Sequence, residues 1–271
     1  MPSTLARKRS DGRSGTEPDR SREEPSGPSR EDKKRSVAIV TYPGVALLDL
    51  VAIKKVLDRL AKASKYRTVS VGERTEPMAS DTPLGIIPEK RFEEVPAPFA
   101  LVVPGGGMDT LKAMGEERLL DYLRFASYGA EVVLSVSTGA FLLAAAGILE
   151  GRQATTHWAY YKVLEQFGIT YVRKRWVEDG KFICSAGVSA GIDMALAARL
   201  TDEGIARRVQ RSLGYDPHPS FGGIDYDHLD AVSAAARAGL SLAAPLITAG
   251  PSDSRDRTDE PVLTSPRTEV A

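Results

Sequence analysis

Hydrophobic residues in this chain come in short β-branched bursts. Between the bursts lie stretches in which apolar positions recur every three or four residues. Ser36 to Tyr42 reads Ser-Val-Ala-Ile-Val-Thr-Tyr and stops at Pro43-Gly44, the pattern of a strand covered on both faces. Across 46–63, Leu47, Leu50, Ile53, Val56, Leu57 and Leu60 fall at helical spacing. The alternation continues with a strand at 67–71 and a short hairpin within 78–87, around Pro83 and Gly85. A buried strand at 99–103 closes on Pro104-Gly105-Gly106-Gly107, and a helix follows over 116–128. Then come a strand at 131–136 and a helix from Thr138. Tyr171 to Trp176 and Phe182 to Cys184 flank Asp179-Gly180, a hairpin turn signal, and Ser189 to Thr201 reads as a last strong helix. Strands alternating with helices predict a doubly wound α/β sandwich with a mostly parallel central sheet.

One run tests this pattern. Val132 to Leu149 is 18 residues without a charge, long enough to suggest a membrane helix. Its interior breaks at Ser135 to Gly139, so a strand, a tight turn and a helix describe it better.

Charge divides the 271 residues into three parts although the total is neutral. Residues 1–35 hold ten basic and seven acidic side chains, and their only apolar residues are Met1, Leu5 and Ala6. Such a stretch buries too little surface to offset its ordering entropy, so 1–35 is expected to be a disordered leader. It lacks the apolar core of a secretory signal. The expected domains are that leader, a folded domain at 36–230, and a short helix with a disordered tail at 231–271. One cysteine excludes an intrachain disulfide, and one cysteine with three scattered histidines argues against a structural zinc site. A cytoplasmic protein without metal, cofactor or membrane segment is expected, with nucleic acid disfavoured as a partner.

In doubly wound folds, ligands bind at the carboxyl ends of the strands. Three such ends carry chemistry here: Tyr42-Pro43-Gly44, Pro104 to Gly107, and Ser137-Thr138-Gly139. The glycine run permits close backbone approach and can present N–H groups to an anion, but lacks the spacing of a dinucleotide fingerprint. A strand entering Ser137 and then a helix resembles a nucleophile elbow, with Ser135 in place of the first glycine. On local pattern alone, Ser137 reads equally as a helix N-cap.

Together these residues resemble a family. Tyr42-Pro43-Gly44 with Leu48-Asp49-Leu50, Val102 to Gly106, Ser135 to Ala140, Ala154 to Trp158 and Gly187 to Asp193 are similar to the ordered motifs of the ThiJ/PfpI superfamily (class I glutamine amidotransferase-like), and within it to the isonitrile hydratase branch. The resemblance spans about 36–225. It implies a flavodoxin-like three-layer sandwich, a small-molecule substrate and a homodimer. It also implies a site in which Asp49 lies beside the elbow residue, with backbone N–H groups at Gly106 and Thr138, and Gly107 next to them, stabilising developing negative charge.

The chain departs from the family at the elbow, where the family's cysteine is replaced by Ser137. A serine hydroxyl ionises far less readily than a thiol and needs an adjacent base. His157 is the one histidine inside the matching motifs, and it reads either as base or acid or as a residue fixing its loop. Asp193 reads as a partner for His157 or as a helix cap. The lone Cys184 sits in an apolar strand and reads as a small core residue. The expected function is a lyase of the hydratase type, in bacterial specialised biosynthesis, with Asp49 as general acid/base and Ser137 as a non-thiol elbow residue. The alternative is a catalytically silent binding or structural dimer. A fused transcription regulator is disfavoured, because too few residues follow Asp225 to hold a DNA-binding module.

Overall fold

The computed structural model describes residues 35–198 and 200–223. In chain order its elements are β1 (Arg35–Val40), α1 (Leu47–Ala61), β2 (Tyr66–Gly72), β3 (Met78–Ala79), β4 (Gly85–Ile86), β5 (Lys90–Arg91) and β6 (Ala100–Val103). They continue with α2 (Met108–Ala113), α3 (Glu117–Gly129), β7 (Val132–Val136), α4 (Gly139–Ala145), β8 (Gln153–Ala154) and α5 (Tyr161–Glu165). The last are β9 (Thr170–Tyr171), β10 (Trp176–Asp179), β11 (Phe182–Ser185), α6 (Val188–Ala197) and α7 (Glu203–Leu213).

Seven strands form the central sheet in the order β10-β11-β7-β6-β1-β2-β5. All neighbours run parallel except β10, which pairs antiparallel with β11. The flavodoxin-like α/β sandwich expected from the sequence is therefore the observed fold. The central strands explain why: Val37 to Val40 and Ala100 to Val103 are wholly buried, as continuous apolar strands must be when helices cover both faces. On one face α1 packs on α6 and α7; on the other α3 packs on α4. Gly191 lets α6 come close: a Cβ there would lie 3.0 Å from Ile53 Cδ1 and 3.2 Å from Val136 Cγ1.

The chain leaves β1 toward β2 on one side and returns to β6 on the other. The crevice opens where that order reverses, at the carboxyl ends of β1 and β6. β7 lies next to β6, so the elbow joins the same crevice.

The structure corrects several details. The hairpin strand expected at Tyr171–Trp176 begins only at Trp176, while Thr170-Tyr171 pairs with Gln153-Ala154 as a separate two-stranded ladder. Its turn is as read, with Gly180 at φ 64. The helices α2 and α7 were not legible. α2 is only six residues long, and α7 offers a polar sequence whose apolar stripe is narrow. The expected leader ended at 35, but Arg35 already opens β1; residues 1–34, His228 and the alanine-rich stretch at 231–246 lie outside the described residues.

Candidate functional site

The elbow is a real backbone feature. Ser137 has φ 56, and among the described residues it is the one non-glycine residue with positive φ. That conformation costs an L-residue roughly 1–2 kcal/mol, so it persists only where neighbours impose it. Two bonds do so. Ser137 N–H donates to Ser185 O at 2.9 Å, and Ser137 O accepts from Thr156 Oγ1 at 2.8 Å. Thr138 then turns into α4, which starts at Gly139 because no other residue fits: a Cβ there would sit 2.1 Å from Val103 O. The result is a half-buried serine held at the tip of a strand-to-helix turn.

Behind it runs a closed chain of hydrogen bonds. Tyr42 Oη donates to Pro104 O at 3.0 Å, so its oxygen accepts from Thr110 Oγ1, also at 3.0 Å. Thr110 has then spent its proton, and Thr138 Oγ1 donates to it at 2.9 Å. Thr138 Oγ1 in turn accepts from Gly106 N–H and Gly107 N–H, both at 3.1 Å. Every proton in the chain is thereby assigned, and the Thr138 hydroxyl is saturated. The two glycine N–H groups expected to face a substrate anion point instead at this hydroxyl. Nothing local in the sequence marks these two roles: Tyr42 lies in the loop after β1, and Thr110 lies on α2, a helix too short to be read from the chain.

Asp49 lies in the first turn of α1 and is 7% exposed. Burial pushes its carboxyl up to about 6, the Gly105 N–H bond to Oδ2 at 3.2 Å partly opposes that, and the Asp81 charge adds to it. Asp49 is thus poised between acid and base near neutrality. The same loop holds Asp49 and the elbow together, because a Cβ on Gly105 would fall 3.0 Å from Asp49 Oδ2 and 3.0 Å from Thr138 N.

The structure brings Asp49, Gly106, Gly107, Ser137 and Thr138 to one place and gives His157, Asp193 and Cys184 structural partners or surroundings. His157 Nδ1 accepts from Ala159 N–H at 3.3 Å and caps the short turn at 158–160, with its ring against Trp158 and Tyr160. That is the loop-fixing role, with burial holding its pKa low and its ring neutral. Asp193 neither partners His157 nor caps a helix; it sits inside α6 and pairs with Arg175. Cys184 is buried in β11, and burial pushes its thiol up to about 11, so it stays protonated and unreactive. His218 is exposed and near Asp216. Among the described residues no group of three or more His, Cys, Asp or Glu side chains could hold a metal ion. Nor is any helix among them long and apolar enough to cross a membrane.

Known proteins are similar to this chain in sequence and fold. The chain is 38% identical over 188 residues to the isonitrile hydratase of Pseudomonas putida, covering 68% of this chain and 80% of that protein. Its fold superposes on a ThiJ/PfpI family protein from Pseudomonas syringae with a TM-score of 0.71 and 29% identity, covering 83% of this chain and 97% of that one. Drosophila melanogaster DJ-1beta shares the fold alone, with a TM-score of 0.59 at 23% identity, over 68% of this chain and all of that one. The sequence description of the DJ-1/PfpI family matches residues 35–199, the span that carries the sheet, the elbow and Asp49. This chain therefore belongs to the DJ-1/PfpI family.

Proposed function

We propose that this protein is a cofactor-independent hydratase that adds water to a small unsaturated molecule, with an isonitrile as the first substrate class. The observation that carries this reading is the buried Asp49, raised to about 6 and held by the Gly105 loop beside the elbow. About a tenth of it is protonated at pH 7, enough to supply a proton without a thiol. Protonated Asp49 gives its proton to the terminal carbon of R–N≡C. Water adds to that carbon, and its surplus proton returns to the Asp49 carboxylate. Tautomerisation of R–N=CH–OH yields the formamide R–NH–CHO. Ser137 holds the water by hydrogen bonding, and no covalent intermediate on the enzyme is required. The similarity to a protein named isonitrile hydratase supports this class. A place in bacterial specialised biosynthesis is part of the same proposal.

The test is direct. The full chain is incubated with cyclohexyl isocyanide and N-cyclohexylformamide is followed by NMR. Turnover is expected to fall at least about a hundredfold in Asp49→Asn. Unaltered turnover in both Asp49→Asn and Ser137→Ala would sink the assignment.

One observation favours a second reading, a catalytically silent binding domain: the Thr138 hydroxyl already takes up both glycine N–H groups. That reading expects no turnover from the native chain and a gain of thiol reactivity in Ser137→Cys.

A homodimer belongs to the same proposal. Leu48 and Val51 on α1, and Leu84 and Ile87 beside β4, are each more than half exposed. The β3–β4 hairpin is tied to the start of α1 by Leu47 N–H to Asp81 Oδ1 at 2.8 Å and Asp81 N–H to Val45 O at 3.1 Å. A second copy would cover these exposed apolar side chains. Val51→Asp with Leu84→Asp is expected to yield a monomer by analytical ultracentrifugation.

A further inference from the structure

We propose that the cavity at the carboxyl ends of β1 and β2 is a second ligand site, separate from the elbow, that takes a small protonated organic amine with an apolar body.

The cavity has a volume of about 640 Å³, within the range of small-molecule sites, and neither Asp49 nor Ser137 lines it. A wall divides it from the elbow. Gly44 and Asp109 both line the cavity and are pressed together, since a Cβ on Gly44 would lie 2.3 Å from Asp109 Cβ. A Cβ on Gly106, on the elbow side, would lie 2.6 Å from Gly44 O. Gly44 is thus packed tightly between the cavity lining and the elbow-side loop.

The floor is apolar and rigid. Phe92 is buried and stacks on Tyr122 at 4.3 Å between ring centroids and 9° between planes. Tyr122 is anchored by its own hydroxyl, which donates to Val95 O at 3.0 Å. Ala113 and Leu119 complete the floor, both buried. Such a surface is already formed before a ligand arrives, so an alkyl or cycloalkyl body gains contact without ordering the walls.

Charge at the rim selects the head group. Four carboxylates and two cationic side chains line the cavity. Of these, Lys112 is committed to Asp109 at 2.6 Å, and Glu73 to Arg118 at 3.0 Å. Glu76 and Glu116 are exposed and have no ion-pair partner among the described residues, against the single unpaired cation Arg74. The rim therefore keeps a surplus of free carboxylate over an apolar floor, which suits an ammonium and disfavours a carboxylate of the same shape.

The test uses three probes on the full chain: cyclohexylammonium, cyclohexanol and cyclohexanecarboxylate, each titrated at pH 7 and followed by amide NMR shifts. Saturable binding of the ammonium is expected, with shifts centred on Phe92, Ala113 and Leu119 and affinity at least about fivefold above that of the carboxylate. The double variant Glu76→Gln/Glu116→Gln changes only surface groups and is expected to weaken it about three- to tenfold. Ala79→Trp, at an exposed lining position, is expected to abolish it by filling the space. Asp49→Asn and Ser137→Ala are expected to leave it unchanged, so this site stands or falls independently of the hydratase reading. Equal or tighter binding of the carboxylate or the neutral alcohol overturns the amine assignment. Absence of saturable binding, or its loss in the elbow variants, overturns the separate site.

Discussion

The carboxyl ends of β7 and β1 lie on the same edge of one sheet, yet they are built in opposite ways. At the end of β7 the backbone is compressed: Ser137 is strained, Gly139 touches Val103 O, and the Thr138 hydroxyl uses all its hydrogen-bonding capacity. At the end of β1, beyond Pro43-Gly44, the walls stand apart around 640 Å³ of space. Compression holds the backbone around the reactive groups in one geometry but leaves little room. Open space admits a ligand but aims nothing at it. Two neighbouring loops on one scaffold can serve these two purposes because the rigid sheet beneath holds each independently.

The contrast breaks most severely at Gly139. Gly139→Ala forces a methyl group onto Val103 O, and a loss of about 3 kcal/mol or more, or no folded protein, is expected in urea denaturation. Near-parental stability would mean that α4 does not press on β6. Thr138→Val keeps the shape of the side chain but leaves two glycine N–H groups and the Thr110 hydroxyl without their partner. A loss of about 2–4 kcal/mol is expected, with Thr138→Ser restoring most of it.

Asp49→Asn should act in the other direction, and only above mildly acid pH. Burial raises the folded-state carboxyl from 3.8 to about 6, so the native chain binds the extra proton between those values. Stability therefore falls as pH rises through that window and then levels off. The asparagine variant lacks this loss. It should gain about 1–3 kcal/mol on the parent at pH 8 and nothing at pH 4, read from urea midpoints at both pH values. A constant difference across pH would show that Asp49 is not the titrating group.

Ser137→Gly relieves the strained φ and Ser137→Ala does not. The glycine variant should exceed the alanine variant by about 1 kcal/mol although both lose the hydroxyl. Equal melting temperatures would remove the strain argument. The smallest effect belongs to the open end. Glu116→Gln should change stability by less than about 0.5 kcal/mol, because an exposed carboxylate without an ion-pair partner holds nothing in place.

Much of the fold could be read from the chain, and the reasons are visible element by element. Val37 to Val40 and Ala100 to Val103 could be read as central strands because a strand covered on both faces needs unbroken apolar residues. The Asp179-Gly180 turn was legible because its φ demands glycine. The strand before it was misplaced at Tyr171 because β9 is two residues long, and its partner, β8, lies 17 residues upstream. Asp193 was misread for a similar reason: its partner Arg175 comes from a different element, and nothing in the local spacing announces it.

By itself the sequence determined the alternation of strands and helices, because periodicity is displayed by a linear chain. That Ser137 stands where a thiol is usual, and that Asp49 lies near it, followed only from the resemblance of the ordered motifs to a family. Only the tertiary structure decided that the Gly106 and Gly107 N–H groups turn to Thr138, that Tyr42 and Thr110 fix its proton, and that Asp49 is buried enough to titrate near 6. Hydrogen-bond direction and desolvation depend on groups brought together from distant parts of the chain, and no local pattern encodes them.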